Sequence, residues 1–128
     1  MEFIKYNANP KGKKTGDCVI RAICTALNES WEDTYRGMLE VALDTGEAIS
    51  CKGNFKEYLK RKGYDMQKMP RKENNKRYTI EEFANILAKP NMVYIVNIAN
   101  HLTLINNKNL YDLWNCKNKS VGNYWIIN

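Results

Sequence analysis

The chain changes character once, near residue 92, and that change limits what it can fold into. Before it, apolar residues recur at helical spacing. Val19, Ala22, Ile23, Ala26 and Leu27 form one stripe, and Trp31, Tyr35, Met38, Leu39, Ala42 and Leu43 a second. Ser30 is an N-cap for that second helix. Phe55, Tyr58 and Leu59 mark a shorter helix over 54–62, stopped at Gly63. Thr79 and Glu82 make a capping-box pattern for the helix TIEEFANILA, with Phe83, Ile86 and Leu87 inward and Lys89-Pro90 at its end. Beyond residue 92 the segments MVYIVNI, HLTLI, NLYDLW and YWII are rich in β-branched and aromatic residues and read as strands. The opening MEFIKYN reads as a short edge strand and NPKGKKTG as a loop. Helices first and strands afterwards predict an α+β domain, its N-terminal helical part packed on a C-terminal antiparallel sheet.

The 128 residues fit one domain over 1–128, and a 44% hydrophobic content supports a real core. No apolar run approaches the length of a membrane span, and MEFIKYNANPKGKK holds no apolar signal core. The expectation is a cytoplasmic protein with no membrane partner. The four cysteines show no CxxC pairing and there is one histidine, so neither a metal nor another cofactor is expected, and no disulfide framework. Cys24 and Cys116 read as small buried hydrophobes, and Cys51 falls in a connection. The formal net charge of +6, with lysines and arginines gathered in 11–14 and 60–77, favours acidic partners. No nucleic-acid-binding motif accompanies that charge, so nucleic acid ranks below a protein or peptide as the expected partner.

Within this frame three residues carry chemistry. Cys18 stands in GDCVIRAI, in the first turn of the first predicted helix, with Asp17 placed to cap it. A thiol attacks as its thiolate, and the unpaired N–H groups of a helix start lower its pKa. His101, the only histidine, begins the strand HLTLI and is the one imidazole that can accept the thiol proton. Asp112 lies in NLYDLW, across the polar turn Asn106-Asn107-Lys108-Asn109. A two-residue loop at Asn106 and Asn107 sets Ile105 opposite Lys108 and His101 opposite Asp112, on one face. The acid then fixes the imidazole's orientation. Singly, each residue has a plainer reading as packing or surface; the helix start and the hairpin register together favour an active site.

An oxyanion donor is also needed. The backbone N–H of Cys18 is one, and Asn9 and Thr15 in the upstream loop are the leading side-chain candidates, with Asn7 beside them. Arg21, one turn after Cys18, is a candidate to contact an acidic substrate group or cover the site, or else pairs with an acid on a neighbouring helix. Trp114 is a candidate for the wall of a cleft.

The strings NPKGKKTGDCVIRAICTAL, HLTLINNKNLYDLWNC and NYWII resemble small papain-like cysteine peptidase proteins of phages and prophages, which are related in fold to the peptidase domains of bacteriocin-processing transporters. The resemblance implies a papain-like fold, Cys18 as nucleophile, His101 as general base, Asp112 as orienting acid, and residence in a bacterial host cytoplasm. It also implies a glutamine before the cysteine as oxyanion donor. None precedes Cys18, and the only glutamine is Gln67. The leading expectation is a thiol hydrolase cleaving a peptide, isopeptide or related amide bond in a protein or peptide substrate, with an acidic one favoured by charge. The alternative is a phage-encoded interaction or inhibitor protein that binds a host protein on the same scaffold, with little or no catalysis.

Overall fold

The computed structural model describes residues 1–127. Strand β1 (Phe3–Lys5) is followed by a loop and three helices, α1 (Cys18–Leu27), α2 (Trp31–Thr45) and α3 (Lys52–Arg61). A one-turn helix α4 (Ile80–Glu82) runs directly into a π-helical turn, Phe83–Leu87. Strands β2 (Val93–Ile98), β3 (His101–Asn106), β4 (Asn109–Asp112) and β5 (Tyr124–Ile127) follow. The protein is α+β, with four helices and a five-stranded sheet in the order β1-β4-β3-β2-β5.

The sheet is mixed, which corrects the expected all-antiparallel one. The pairs β2–β3, β2–β5 and β3–β4 are antiparallel, but β1 joins the edge of β4 in parallel, Phe3 opposite Leu110. Parallel neighbours need a long connection, and the whole helical region lies between β1 and β4 to supply it.

Strand β2 reads as an almost continuous apolar run because both of its faces are covered. On one face Ile95, Leu102, Trp125 and Ile127 pack with Ile20 and Ile23 of α1, Met38 of α2 and Phe55 and Leu59 of α3. On the other, Tyr94, Val96, Ile98, Ile105 and Leu110 pack with Ile80, Phe83, Ala84, Ala88, Cys116 and Val121. The helices therefore divide: α1 to α3 cover one side of the sheet, while α4 and its π turn cover the other. The division brings α1 against β3, the strand that begins with His101.

Candidate active site

Helix α1 begins at Cys18 without a side-chain cap. Asp17 occupies the N-cap position, as its place in the sequence predicts, but its carboxylate does not bond the first turn. Instead Oδ1 accepts from Arg21 Nη1 at 2.7 Å, and Oδ2 accepts from Asn9 Nδ2 and Trp31 Nε1, both at 3.0 Å. Three donors compete for one buried carboxylate, and the helix start is left open. No acidic residue stands in the first turn either. The N–H groups around Cys18 are thus free to favour negative charge on its sulfur.

The β3–β4 hairpin turns one residue later than the sequence suggests. Asn107 and Lys108 form the loop, both with positive φ (49° and 64°), and Asn106 pairs with Asn109. Continuing that register sets Thr103, rather than His101, opposite Asp112. His101 and Thr103 nevertheless share one face of β3, because side chains alternate with period two. Both therefore reach the same acid. Asp112 Oδ2 lies 2.6 Å from His101 Nε2 and accepts from Thr103 Oγ1 at 2.6 Å, while Oδ1 accepts from the Leu113 N–H at 2.6 Å. Asp112 and Thr103 are buried, and the His101 side chain nearly so. Thr103 was not anticipated, although its position two residues after His101 on a strand is a signal that would have found it.

With Nε2 turned to Asp112, the remaining ring nitrogen, Nδ1, is the one left for Cys18. The titration of the three groups follows from this contact. Burial opposes the charged form of each. For Cys18 that effect, the largest single one, is outweighed by hydrogen bonding to His101 and to the Leu102 N–H, and by the charges of His101 and Arg21, so the thiol is held below its ordinary value. For His101, burial pulls downward, but Asp112 and then Cys18 overcome it and the imidazole is raised to about 9. Asp112 is lowered despite its burial, by the His101 and Thr103 hydrogen bonds and the His101 charge. All three shifts favour a thiolate–imidazolium pair held by a carboxylate.

The other expected site residues fall in different places. Arg21 is buried and pairs with Asp17 of its own helix, its Nη2 lying 4.0 Å from Asp112 Oδ1. It lines a small cavity with Cys18, Thr103 and Asp112, and its charge helps to hold the Cys18 thiol down. Trp114 places its ring 5.1 Å from that of His101 and remains 42% exposed, so it covers the imidazole on the solvent side. Asn9 is buried, with its amide nitrogen committed to Asp17 and its oxygen accepting from the Lys11 N–H. Thr15 is exposed, and both residues line a groove beside Trp31 rather than the cleft of Cys18. The expected side-chain oxyanion donors are therefore turned elsewhere, and backbone N–H groups at the start of α1 are what remains.

Cys18 and His101 open onto a cleft of about 520 Å³, walled by Ser50, Cys51 and Lys52 at the start of α3, by Phe55, and by Asn97, Ile98 and Asn100 around the β2–β3 turn. His101, Asp112 and Cys116 also bring three potential metal-ligand atoms within 4.8 Å of one another. Burial and the Asp112 charge push the Cys116 thiol up to about 11, so without a bound cation it keeps its proton near neutral pH. All four cysteines are free, with Cys24 and Cys116 buried and Cys18 and Cys51 partly exposed. Comparison with protein-family models, curated proteins and solved structures gives no match to this chain.

Proposed function

We propose that the protein is a thiol hydrolase with a papain-like arrangement, cleaving a peptide, isopeptide or related amide bond through an acyl-enzyme on Cys18. One observation carries this reading: the imidazole bonded to the Asp112 carboxylate shares a cleft with Cys18, whose sulfur sits at an open helix start. The Cys18 thiolate attacks the substrate carbonyl carbon, and the electron pair of the C=O moves onto oxygen. Backbone N–H groups at the start of α1 hold that oxyanion. As the C–N bond breaks, the His101 imidazolium gives its proton to the leaving amine. His101, now neutral, takes a proton from water, which attacks the thioester and releases the acid and the Cys18 thiolate. Asp112 keeps the ring oriented and its Nε2–H engaged throughout, and Thr103 keeps Asp112 in place. No further cofactor is needed for any step.

The expected resemblance of three segments to phage and prophage papain-like peptidases, which no comparison with known proteins reproduces, agrees with this reading and with a bacterial cytoplasm as the working compartment. The alternative, a host-protein-binding scaffold with little chemistry, draws on one observation, namely that neither Asn9 nor Thr15 points into the cleft. Alkylation by iodoacetamide, mapped by peptide mass spectrometry, decides between them. The hydrolase reading expects Cys18 to react well ahead of the partly exposed Cys51, and Cys18→Ala to lose the fast phase while its circular dichroism is unchanged. Equal reaction of Cys18 and Cys51 would remove the nucleophile and leave the scaffold.

A further inference from the structure

The cleft does not end at His101. Asn97, Ile98, Asn100 and Lys52 also line an adjoining cavity of about 510 Å³ that reaches Arg77 and Asn123. The two cavities share these four wall residues, and we read them as one channel that begins beside the reactive sulfur. Its lining has a bias that the chain as a whole does not: of 14 aspartates and glutamates in the sequence, none lines either cavity. The nearby acid Glu47 is engaged by Cys51 Sγ at 3.2 Å and stands outside the wall.

Besides His101, two cations line the channel, Lys52 and Arg77, and neither has an acidic partner among the described residues. Lys52 Nζ donates to Asn123 Oδ1 at 2.6 Å. Arg77 donates from Nε to Val121 O at 3.0 Å and from Nη2 to Ser120 O at 3.3 Å. Neutral oxygens thus fix both side chains in position and leave their charge uncompensated. Among the described residues, the ion pairs of this protein are made by Arg21, Arg61, Lys62, Lys72 and His101. The start of α3, beside Lys52, adds nothing to that sign, because the Glu47 carboxylate lies against Cys51 and Gly53 there.

We infer that the channel takes an acidic peptide segment, with substrate carboxylates lying against Lys52 and Arg77 and the scissile amide at Cys18. The inference rests on the hydrolase reading for the identity of the bond, but the binding it describes does not require chemistry. A peptide suits the walls better than a nucleic acid does. The neutral groups beside the two cations are the amides of Asn97, Asn100 and Asn123, which match peptide carbonyls and N–H groups. No exposed aromatic platform for stacking bases lines the channel, Phe55 being buried.

The test uses the full chain carrying Cys18→Ser, so that no turnover intervenes, and two fluorescein-labelled heptapeptides that differ only in Glu against Gln at alternate positions. Fluorescence anisotropy is expected to show the Glu peptide binding about tenfold or more tightly than the Gln peptide at low salt, with the preference shrinking as salt is added. Lys52→Glu with Arg77→Glu is expected to abolish the preference. Lys56→Glu with Lys60→Glu, the same change in net charge on exposed residues elsewhere on α3, is expected to keep it. The milder pair Lys52→Gln and Arg77→Gln, whose fold is checked by circular dichroism, is expected to fall between. Equal binding of the two peptides, or equal loss in both charge-reversed pairs, overturns the inference. A Glu preference that persists while wild-type Cys18 proves inert to iodoacetamide would sink the hydrolase reading and leave the acidic channel standing.

Discussion

Four helices start among the described residues, and they start in two different ways. At α2, Ser30 Oγ accepts from the Asp33 N–H at 3.0 Å, and Glu32 and Asp33 fill the first turn. At α4, Thr79 and Glu82 close a full capping box, with Glu81 beside them. Helices α1 and α3 have no side-chain cap and no acid in the first turn. A good N-cap is worth about 1 kcal/mol, so each open start forgoes stabilisation on that order. The two open starts are the two that border the cleft of Cys18 and His101. At α1 a capping residue is even present, but Asp17 is drawn inward by Asn9, Arg21 and Trp31. A carboxylate bonded to the first-turn N–H groups would compete with a thiolate, and later with an oxyanion, for the same donors. The capped starts lie away from the cleft, and the uncapped ones border it.

The strongest attempt to break this contrast is His101→Ala. If the open start of α1 alone were enough to ionise Cys18, removing the imidazole would change little. The arrangement described here expects the thiol pKa to rise, alkylation at neutral pH to slow, and any amide hydrolysis to fall by about 10²- to 10⁴-fold. The wild-type pH profile carries the same information. Cys18 is lowered and His101 raised to about 9, so the ion pair is lost on the acid side as Cys18 takes up its proton and on the basic side as His101 gives its proton up. Hydrolysis should therefore decline above about pH 9, where no imidazolium remains for the leaving amine, while alkylation, which needs only the thiolate, should not. The stability contribution of His101 has the sign of a raised pKa: it is full below the ordinary imidazole value of about 6.5 and is lost as pH climbs through about 9. Thermal melts between pH 6 and 10 read it directly.

A smaller effect is expected one step further from the sulfur. Thr103→Val keeps the shape of a buried side chain and removes one donor from the Asp112 carboxylate. A hydrogen bond to a charged group is worth about 1.5–3 kcal/mol, and a loss of stability of that size should appear in urea unfolding. His101 still holds Asp112, so the alkylation midpoint of Cys18 should shift far less than in His101→Ala. A shift as large as in the histidine variant would mean that Thr103, rather than the imidazole, governs the acid.

Much of this site was legible because its logic is periodic. A cysteine in the first turn of an amphipathic stretch and a histidine and an acid either side of a polar turn follow from the pattern alone. The turn came one residue later and the pairing register shifted by two, yet His101 and Asp112 still meet. The displacement preserves which face each residue occupies, and the long reach across neighbouring pairs does the rest. What the pattern missed was set by local geometry that it cannot encode. From Phe83, a regular helix points Ile86 and Leu87 inward. The chain instead makes a π turn, Ala88 N–H bonding to Phe83 O, so Ala84 and Ala88 are buried and Ile86 is 64% exposed. On α2 the inward face is Thr34, Met38, Val41 and Ala42, whereas Tyr35, Leu39 and Leu43 face outward. Thr34 belongs inside because its hydroxyl donates to Glu29, a partner no hydrophobic stripe reveals. Asp17 was read as a cap for the same reason: composition gives a carboxylate at the right position but not the three donors that draw it away.

The gentlest test addresses the capped helices themselves. Ser30→Ala removes the side-chain acceptor at α2, and Thr79→Ala removes it at α4. Each should cost about 1 kcal/mol, within a range of about 0.5–2, measured by urea unfolding. Thr79→Ala should sit at the upper end, since it breaks half of a reciprocal pair and loosens Glu82, which also bonds Lys72. The two helices lie on opposite sides of the sheet and share no partner, so the double variant should lose close to the sum. Neither substitution should alter the rate at which iodoacetamide modifies Cys18, because neither helix start faces its cleft. If Ser30→Ala changed that rate severalfold at unchanged fold, the division between stabilising and reactive helix starts would fail. The coupling would then run through Trp31, the first residue of α2 and a donor to Asp17.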